Sequence, residues 1–469
     1  MKVIDARIIG SLRDAEPTPL WLDRERPFEP QPPLNGDRRC DLAIVGGGFT
    51  GLWTALLAKE RDPSLEVAIV EADVVGGAAS GRNGGFCMST LTHGIANGAG
   101  RWPAEMTRLE ALGLDNLRNM EQTLERHGID CAWRSSGEMQ FATESWQVEE
   151  LREDVELAAR FGRTIDLLDR DAARAEVDSP TYLAATWDRV GCAMVDPALL
   201  AWGLARACTD LGVRILERTR VTGIEPSSSG VVLTAPSGRL RAGTAALGTS
   251  AFRSPLRRLR LSTVPVYDYV LATEPIPAER WEQVGWRNHQ GIADAASQFH
   301  YAQRTVDDRI VWGGYDAVYH FGSRLEPSLD QRAATFELLA KHFFQTFPQL
   351  EGVRFTHTWG GAIDTCTRFA PFFGTAMHGR VAYALGYTGM GVGASRFGAQ
   401  VMLDLLGGRP TELTRFAMVR STPVPFPPEP LRWAGIWLTR RSIARADARD
   451  GHRDLWLRAL DRVGVGFDS

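Results

Sequence analysis

The sequence predicts an α/β fold in two parts: a Rossmann-like dinucleotide-binding domain and a second, α+β domain with a mostly antiparallel sheet. Three observations predict it. The apolar run 42–45 has the character of a buried parallel strand and meets Gly46-x-Gly48-x-x-Gly51, where an apolar stretch of helical length begins. A second strand–glycine–helix unit stands more than 300 residues later, where 381–385 runs into Gly386-Tyr-Thr-Gly-Met-Gly-Val-Gly393. Between them, 261–355 becomes strand-rich, with extended stretches at 264–273, 298–304 and 309–314 and a long helix over 330–347 that ends at Pro348.

In the first unit each glycine has its own role. Gly46 permits the tight turn, Gly48 lets backbone approach a pyrophosphate, and Gly51 lets helix and strand pack closely. Phosphates then rest on the free N–H groups and the positive dipole end of the helix, which Phe49 and Thr50 open. A second strand, 66–70, ends at Glu71, twenty residues after Gly51 and followed by Ala72. An acid at that place accepts hydrogen bonds from a ribose diol, which favours FAD or NAD over NADP.

Composition narrows the classes. The chain has 469 residues, 44% hydrophobic and 23% charged, ordinary for a globular protein with two or three domains' worth of core. A net charge of −4 argues against nucleic acid as the main partner. Six scattered cysteines suggest neither a disulfide framework nor a metal site. The N-terminus lacks a secretory h-region and no apolar run is long enough for a membrane span, so the expected compartment is the cytoplasm. Lysine stands only at 2, 59 and 341.

Along the chain, the proline-rich residues 1–39 read as an extended arm on the surface. Residues 101–127 and 145–175 have helical spacing, 138–142 reads as a strand, and Asp196-Pro197 opens a helix that Gly212 stops. Residues 409–469 form a proline-rich stretch and a basic helical tail. The segment 74–86 holds five glycines between 76 and 85, too many for an ordinary helix and suited to backbone lying against a flat ligand. Ser80, Arg82 and Asn83 add donors there.

Gly46-x-Gly48-x-x-Gly51, Glu71 and Ala79-Ser-Gly-Arg-Asn-Gly-Gly85 together resemble the FAD-dependent amine and amino-acid oxidases of the D-amino-acid oxidase superfamily. The Ser-Gly-Arg-Asn-Gly-Gly form is most similar to the gamma-glutamylputrescine oxidase and aminophosphonate oxidoreductase branch. The resemblance covers about residues 40–410. It implies FAD, held by the first unit, by Gly84 and Gly85, by Val221 at the adenine and by Gly248 and Gly361. It implies that Gly386, Thr388, Gly389, Met390, Gly391 and Val392 serve the flavin end, the helix N-terminus facing the C2 carbonyl and stabilising charge on reduction. The implied division is an N-terminal arm (1–39), a discontinuous FAD-binding domain (40–90, 195–255 and 356–410), a substrate domain (91–194 and 256–355) and tail helices (411–469). A simple NAD enzyme has no need of the second glycine unit. An aromatic hydroxylase usually carries Gly-Asp where Gly386-Tyr387 stands.

The implied chemistry is oxidation of a primary or secondary amine by hydride transfer to flavin N5, giving an imine hydrolysed to an aldehyde or keto product. The expected substrate is a gamma-glutamyl polyamine-like amine or an aminoalkylphosphonate, with O2 going to H2O2. The alternative is an N-methyl or D-amino-acid dehydrogenase with another acceptor. An alkyl amine, with a pKa near 10.4, arrives protonated and cannot release hydride until the site lowers that value. Aromatic walls desolvate such an amine and can hold its ammonium on a ring face. Tyr267, Tyr269, Tyr301, Trp312, Tyr315 and Trp359 are candidates, and the resemblance favours Tyr301 and Trp359. On the 298–304 strand, Tyr301 and Gln303 face one way and His300 the other, so His300 as base or anion contact competes with Tyr301. Arg368 is the candidate contact for a substrate anion, with Arg82 and Arg396 as rivals. Cys366 lies near a place where sarcosine-oxidase relatives attach flavin, one residue out of step. Those relatives activate oxygen with a lysine; Val311-Trp-Gly-Gly314 has none there, which leaves the acceptor open.

Overall fold

The computed structural model describes residues 6–25, 27–462, 464 and 465. Its first sheet has a parallel core in the order Val381–Leu385, Gly238–Leu247, Arg38–Val45, Val67–Val70, Arg214–Leu216. Strand Phe372–Ala376 pairs antiparallel at one edge, and the hairpin Gly223–Ser227 and Gly230–Ala235 folds onto Gly238–Leu247. The central strand buries Leu42, Ala43, Ile44 and Val45 together, as a strand covered on both faces does. Helices Phe49–Arg61 and Gly391–Leu406 follow two of these parallel strands and pack against each other. Their N-termini therefore both stand at the carboxyl edge of one sheet. The strands that precede them are two steps, about 10 Å, apart. Ligands of open α/β sheets bind outside that edge.

The second sheet runs in the order Val318–Tyr319, Val264–Thr273, Ile310–Gly314, His300–Arg304, Gly291–Asp294, Glu138–Ala142, Ala184–Asp188, Asp166–Leu168, with Phe355–Thr365 also paired to Val264–Thr273. It is antiparallel except where Gly291–Asp294 meets Glu138–Ala142. Helix Ala333–Thr346 covers one face, packing Phe336 and Phe343 on Tyr269 and Trp312. The other face looks toward the glycine loop.

Two expectations need correction. The 145–175 stretch is helix Ser145–Arg160, strand Asp166–Leu168 and helix Arg170–Glu176; Gly162, at φ +83°, makes the break. The described part of the N-terminal arm contains helix Ala6–Leu12, and its Trp21 is buried, donating Nε1–H to the Asn83 carbonyl over 2.9 Å. The tail carries, among the described residues, the helices Glu412–Arg415, Ala417–Arg420, Leu431–Asp447 and Leu455–Arg462. Among the described residues no helix is long and apolar enough to cross a membrane, and no cluster suited to a metal ion occurs.

Candidate active site

The first glycine turn is closed by contacts that leave no room for side chains. A Cβ on Gly51 would lie 1.9 Å from the Gly46 carbonyl oxygen, and one on Gly46, itself at φ +110°, would lie 2.4 Å from the Gly248 oxygen. Helix and strand meet here at backbone distance. A Cβ on Gly48 would fall 2.8 Å from Ser80 Oγ, which accepts the Phe49 N–H over 2.9 Å. Ser80 thus stands at the opening of the helix, with Thr50 half-buried beside Gly248. Glu71 accepts the Gly47 N–H at Oε2 (2.6 Å) and the Asp73 N–H at Oε1 (2.8 Å), and burial raises its pKa. Thr219 donates its N–H to the Glu71 carbonyl, which brings the Val221 segment alongside Glu71 and Ala72. Glu217, not singled out from the sequence, fixes this corner by accepting from Val75 and Gln31.

The glycine loop is held from three sides. Asn83 uses its own amide on the loop, donating to Ala79 and Ser80 carbonyls and accepting from Gly85. Arg82 donates to the Gly77 carbonyl and forms an ion pair with Asp330 of the second sheet's flank. Trp359, fully buried, donates Nε1–H to the Arg82 carbonyl over 2.8 Å. Gly361 sits beside it, 3.7 Å in Cβ terms from Arg82.

In the second turn Gly386 (φ +77°), Thr388 (φ +50°) and Gly389 (φ +92°) all adopt left-handed backbone. The Thr388 conformation is strained for a β-branched residue and is held in place by neighbours. Asp364 Oδ2 accepts the Gly386 N–H over 2.6 Å, and burial lifts the Asp364 pKa to about 7. Met390 caps helix Gly391–Leu406 and is half-buried, while Val392 is buried behind it. Cys366 is buried behind Gly386, and its thiol donates to the Ala370 and Gly386 carbonyls.

Over the loop lies the sheet face that carries Tyr301. Its ring would touch a Cβ on Gly84 at 2.4 Å, and Phe86 meets it edge-on at 5.7 Å. Its phenol donates to Asp268 Oδ2 over 2.5 Å. Burial lifts the Asp268 pKa to about 6, and burial followed by the Asp268 charge pushes Tyr301 well above the ordinary phenol value. The proton therefore stays on the phenol, and the carboxylate is the group that titrates. The sequence reasoning missed Asp268; its signal is one acid in the middle of an otherwise apolar strand, Val264–Thr273.

The remaining candidates do not join this group. His300 faces away, held by Asp294 at Nδ1 and His342 at Nε2, and stacked on Trp312 and Tyr315. Tyr267 and Tyr269 also face that helix-covered side, where Tyr269 donates to the Leu329 carbonyl. Arg368 is buried with its donors on the Ala370, Pro371, Met418 and Ser421 carbonyls, so it braces the tail segment. Arg396 lies between helices, 5.7 Å from the Trp53 ring.

Two features fit a long flat dinucleotide. Gly46, Gly48 and Gly51 leave no room for a Cβ, and His93 Nδ1 and Gln303 Oε1 are among the buried polar atoms that lack a protein partner. Gln303 Oε1 lies against Gly85 of the loop. The pattern of the family described as FAD dependent oxidoreductase matches residues 41–405. The chain belongs to this family. This flavoprotein, with FAD as its cofactor, is 30% identical to gamma-glutamylputrescine oxidoreductase of Escherichia coli over 85% of its own length and 91% of that protein. Its fold matches the crystal structure of glycine oxidase from Geobacillus kaustophilus with a TM-score of 0.68 and 21% identity, covering 82% of this chain and 99% of that one. L-proline dehydrogenase from P. horikoshii gives 0.66 and 17%, covering 81% and 96%.

Proposed function

We propose that this flavoenzyme oxidises the C–N bond of a primary or secondary amine to an imine, which water hydrolyses to an aldehyde or keto product. The Tyr301–Asp268 pair carries the assignment: an anionic group among aromatic walls, directly over the glycine loop. The likeness to gamma-glutamylputrescine oxidoreductase supports a gamma-glutamyl polyamine-like amine as substrate, with an aminoalkylphosphonate as the acidic variant.

Residues 40–90, 195–255 and 356–410 form the cofactor domain in this proposal, acting in the cytoplasm. Gly46, Gly48, Phe49, Thr50, Gly51 and Ser80 hold the pyrophosphate. Glu71 and Ala72 take the ribose, and Val221 and Gly248 the adenine end. Arg82, Asn83, Gly84, Gly85, Gly361 and the turn from Gly386 through Thr388, Gly389, Met390 and Gly391 to Val392 shape the flavin end. FAD held there would supply the acceptor for the hydride that leaves the substrate α-carbon. Asp268 receives the substrate ammonium and takes its proton, since only the neutral amine releases hydride. Tyr301 keeps Asp268 Oδ2 oriented, and with Phe86 and Trp359 excludes water.

Dioxygen as acceptor, giving H2O2, is one form of this function. A dehydrogenase of an N-methyl or D-amino acid with another acceptor is the second. Strand Ile310–Gly314 offers no lysine, while Lys59 is bonded to loop carbonyls and Lys341 is exposed on a helix. These placements favour an acceptor other than oxygen, whichever amine is oxidised. An anaerobic panel of polyamines, gamma-glutamyl amines, N-methyl amino acids and aminoalkylphosphonates, followed by flavin absorbance, tests both. Bleaching by one amine class is the expected result; no bleaching by any amine rules the function out. Recovery of colour in air identifies oxygen as acceptor.

A further inference from the structure

Helix Leu431–Asp447 is packed the wrong way round for a free surface. It buries Thr439, Ser442, Ile443 and Ala446, yet leaves Leu431 65%, Trp433 42% and Trp437 48% exposed. Trp433, Trp437, Arg441 and Arg445 recur every four residues, so they form one ridge. The two indoles stack at 6.5 Å, and the Arg441 guanidinium lies 5.4 Å from the Trp437 ring.

This ridge is tied to a second exposed patch. The Glu429 carboxylate accepts from the Trp433 and Gly322 amides, which sets exposed Phe321 beside the helix start. Phe426 donates its N–H to the Leu261 carbonyl over 2.7 Å, joining the segment that carries exposed Val424 to exposed Leu261. Leu261 ends a loop with exposed Phe252 and exposed Arg253, Arg257 and Arg260. Those three arginines form no ion pair among the described residues. The Arg260 guanidinium is held below its ordinary value by partial desolvation and then by Arg253 and Arg257. Residues 431–462 hold eight arginines against four aspartates, in a chain of net charge −4; Arg432, Arg440 and Arg453 pair with Glu429, Asp316 and Asp461, while Arg441 and Arg445 stay on the exposed ridge.

We propose that this face, from the 252–261 loop across Phe321 and Val424 to the Trp433–Arg445 ridge, docks on an anionic lipid surface. Indoles with an apolar body and one polar N–H settle at the headgroup level, and guanidinium groups that no protein acid neutralises pair with lipid phosphates. The chain needs no spanning helix for this. It would lie on the surface.

The test is co-sedimentation of the flavin-loaded protein with vesicles of phosphatidylglycerol and phosphatidylcholine, and with phosphatidylcholine alone. Binding to the anionic vesicles is expected, weakened by about 0.5 M salt, where screening reaches a few ångströms. A triple variant R253E/R257E/R260E is expected to bind about a hundredfold more weakly. W433S/W437S is expected to lose binding while keeping flavin content and melting temperature, since both residues are exposed. Equal sedimentation with neutral vesicles, or none with either, overturns the proposal. So does a dimer in sedimentation velocity that W433S/W437S disperses, which assigns the face to a second copy. Binding to a DNA duplex as tight as to anionic vesicles also overturns it.

Discussion

Tyr301 reaches Asp268 across Gly313. The two residues lie two strands apart, and the strand between them presents a glycine where a Cβ would stand 2.5 Å from the phenol oxygen. The missing side chain is what lets the hydrogen bond form. Gly313→Ala is therefore expected to push the phenol off Asp268 with little change to the fold. The amine kcat/KM should fall about tenfold or more from lost orientation, while the flavin spectrum stays intact. An unchanged kcat/KM would remove the pair from the reaction.

The acid limb of the pH profile should belong to Asp268. Its pKa is raised to about 6, chiefly by burial, so the carboxylate that receives an ammonium exists only above that value. The amine kcat/KM should rise with pH through about 6 and level off. Asp268→Asn should lower it about a hundredfold and abolish the limb. His300→Gln, on the other side of the sheet, should leave the limb in place. Steady-state kinetics from pH 5 to 9 separates these outcomes, with the substrate's own titration subtracted.

Much of this architecture is legible in the sequence because glycines report backbone contacts that are local. Gly46, Gly48 and Gly51 lie within six residues, and the closeness they permit is set by the strand and helix that adjoin them. The same holds for Gly386 and Gly389. The Tyr301–Asp268 pair is not local: it depends on the register of three strands, which alternation within any one of them does not specify. Alternation does separate Tyr301 from His300. Arg368 is ambiguous in sequence because a guanidinium among carbonyls and one awaiting a carboxylate look alike there. The helix break at Gly162 escapes a reading of periodicity because composition on both sides is helical.

Arg368 should prove structural. It is buried, and its donors meet four main-chain carbonyls that join the 366–371 turn to the 418–421 segment. Arg368→Met is expected to cost about 3 kcal/mol of stability by leaving carbonyls unpaired, read as a lower chemical-denaturation midpoint. The KM of the surviving fraction for an acidic amine should not change. A selective rise in KM for phosphonate or carboxylate substrates would return Arg368 to the binding site.

Gly51→Ala should strike the cofactor cradle directly. The added methyl would sit 1.9 Å from the Gly46 carbonyl, and neither is on a flexible side chain, so helix Phe49–Arg61 must move off the strand. Overpacking of this kind costs about 3 kcal/mol. The purified variant should hold less FAD than wild type at equal concentration, measured as the ratio of flavin to protein absorbance. A full flavin complement would mean that the cofactor does not rely on this approach.

Asp364 gives a pH-dependent stability with a defined sign. Burial raises its pKa from the ordinary 3.8 to about 7 in the folded chain, so the folded state binds the proton more tightly than the unfolded one. The stability this group contributes is complete below about 3.8 and is lost as pH rises through about 7. Asp364→Asn keeps an oxygen for the Gly386 N–H and carries no charge to bury. The variant should melt a few degrees above wild type at pH 8, with the difference shrinking toward pH 4. If wild type is instead the more stable protein at pH 8, the backbone N–H groups around the Asp364 carboxylate outweigh its burial, and the second glycine turn is held by charge.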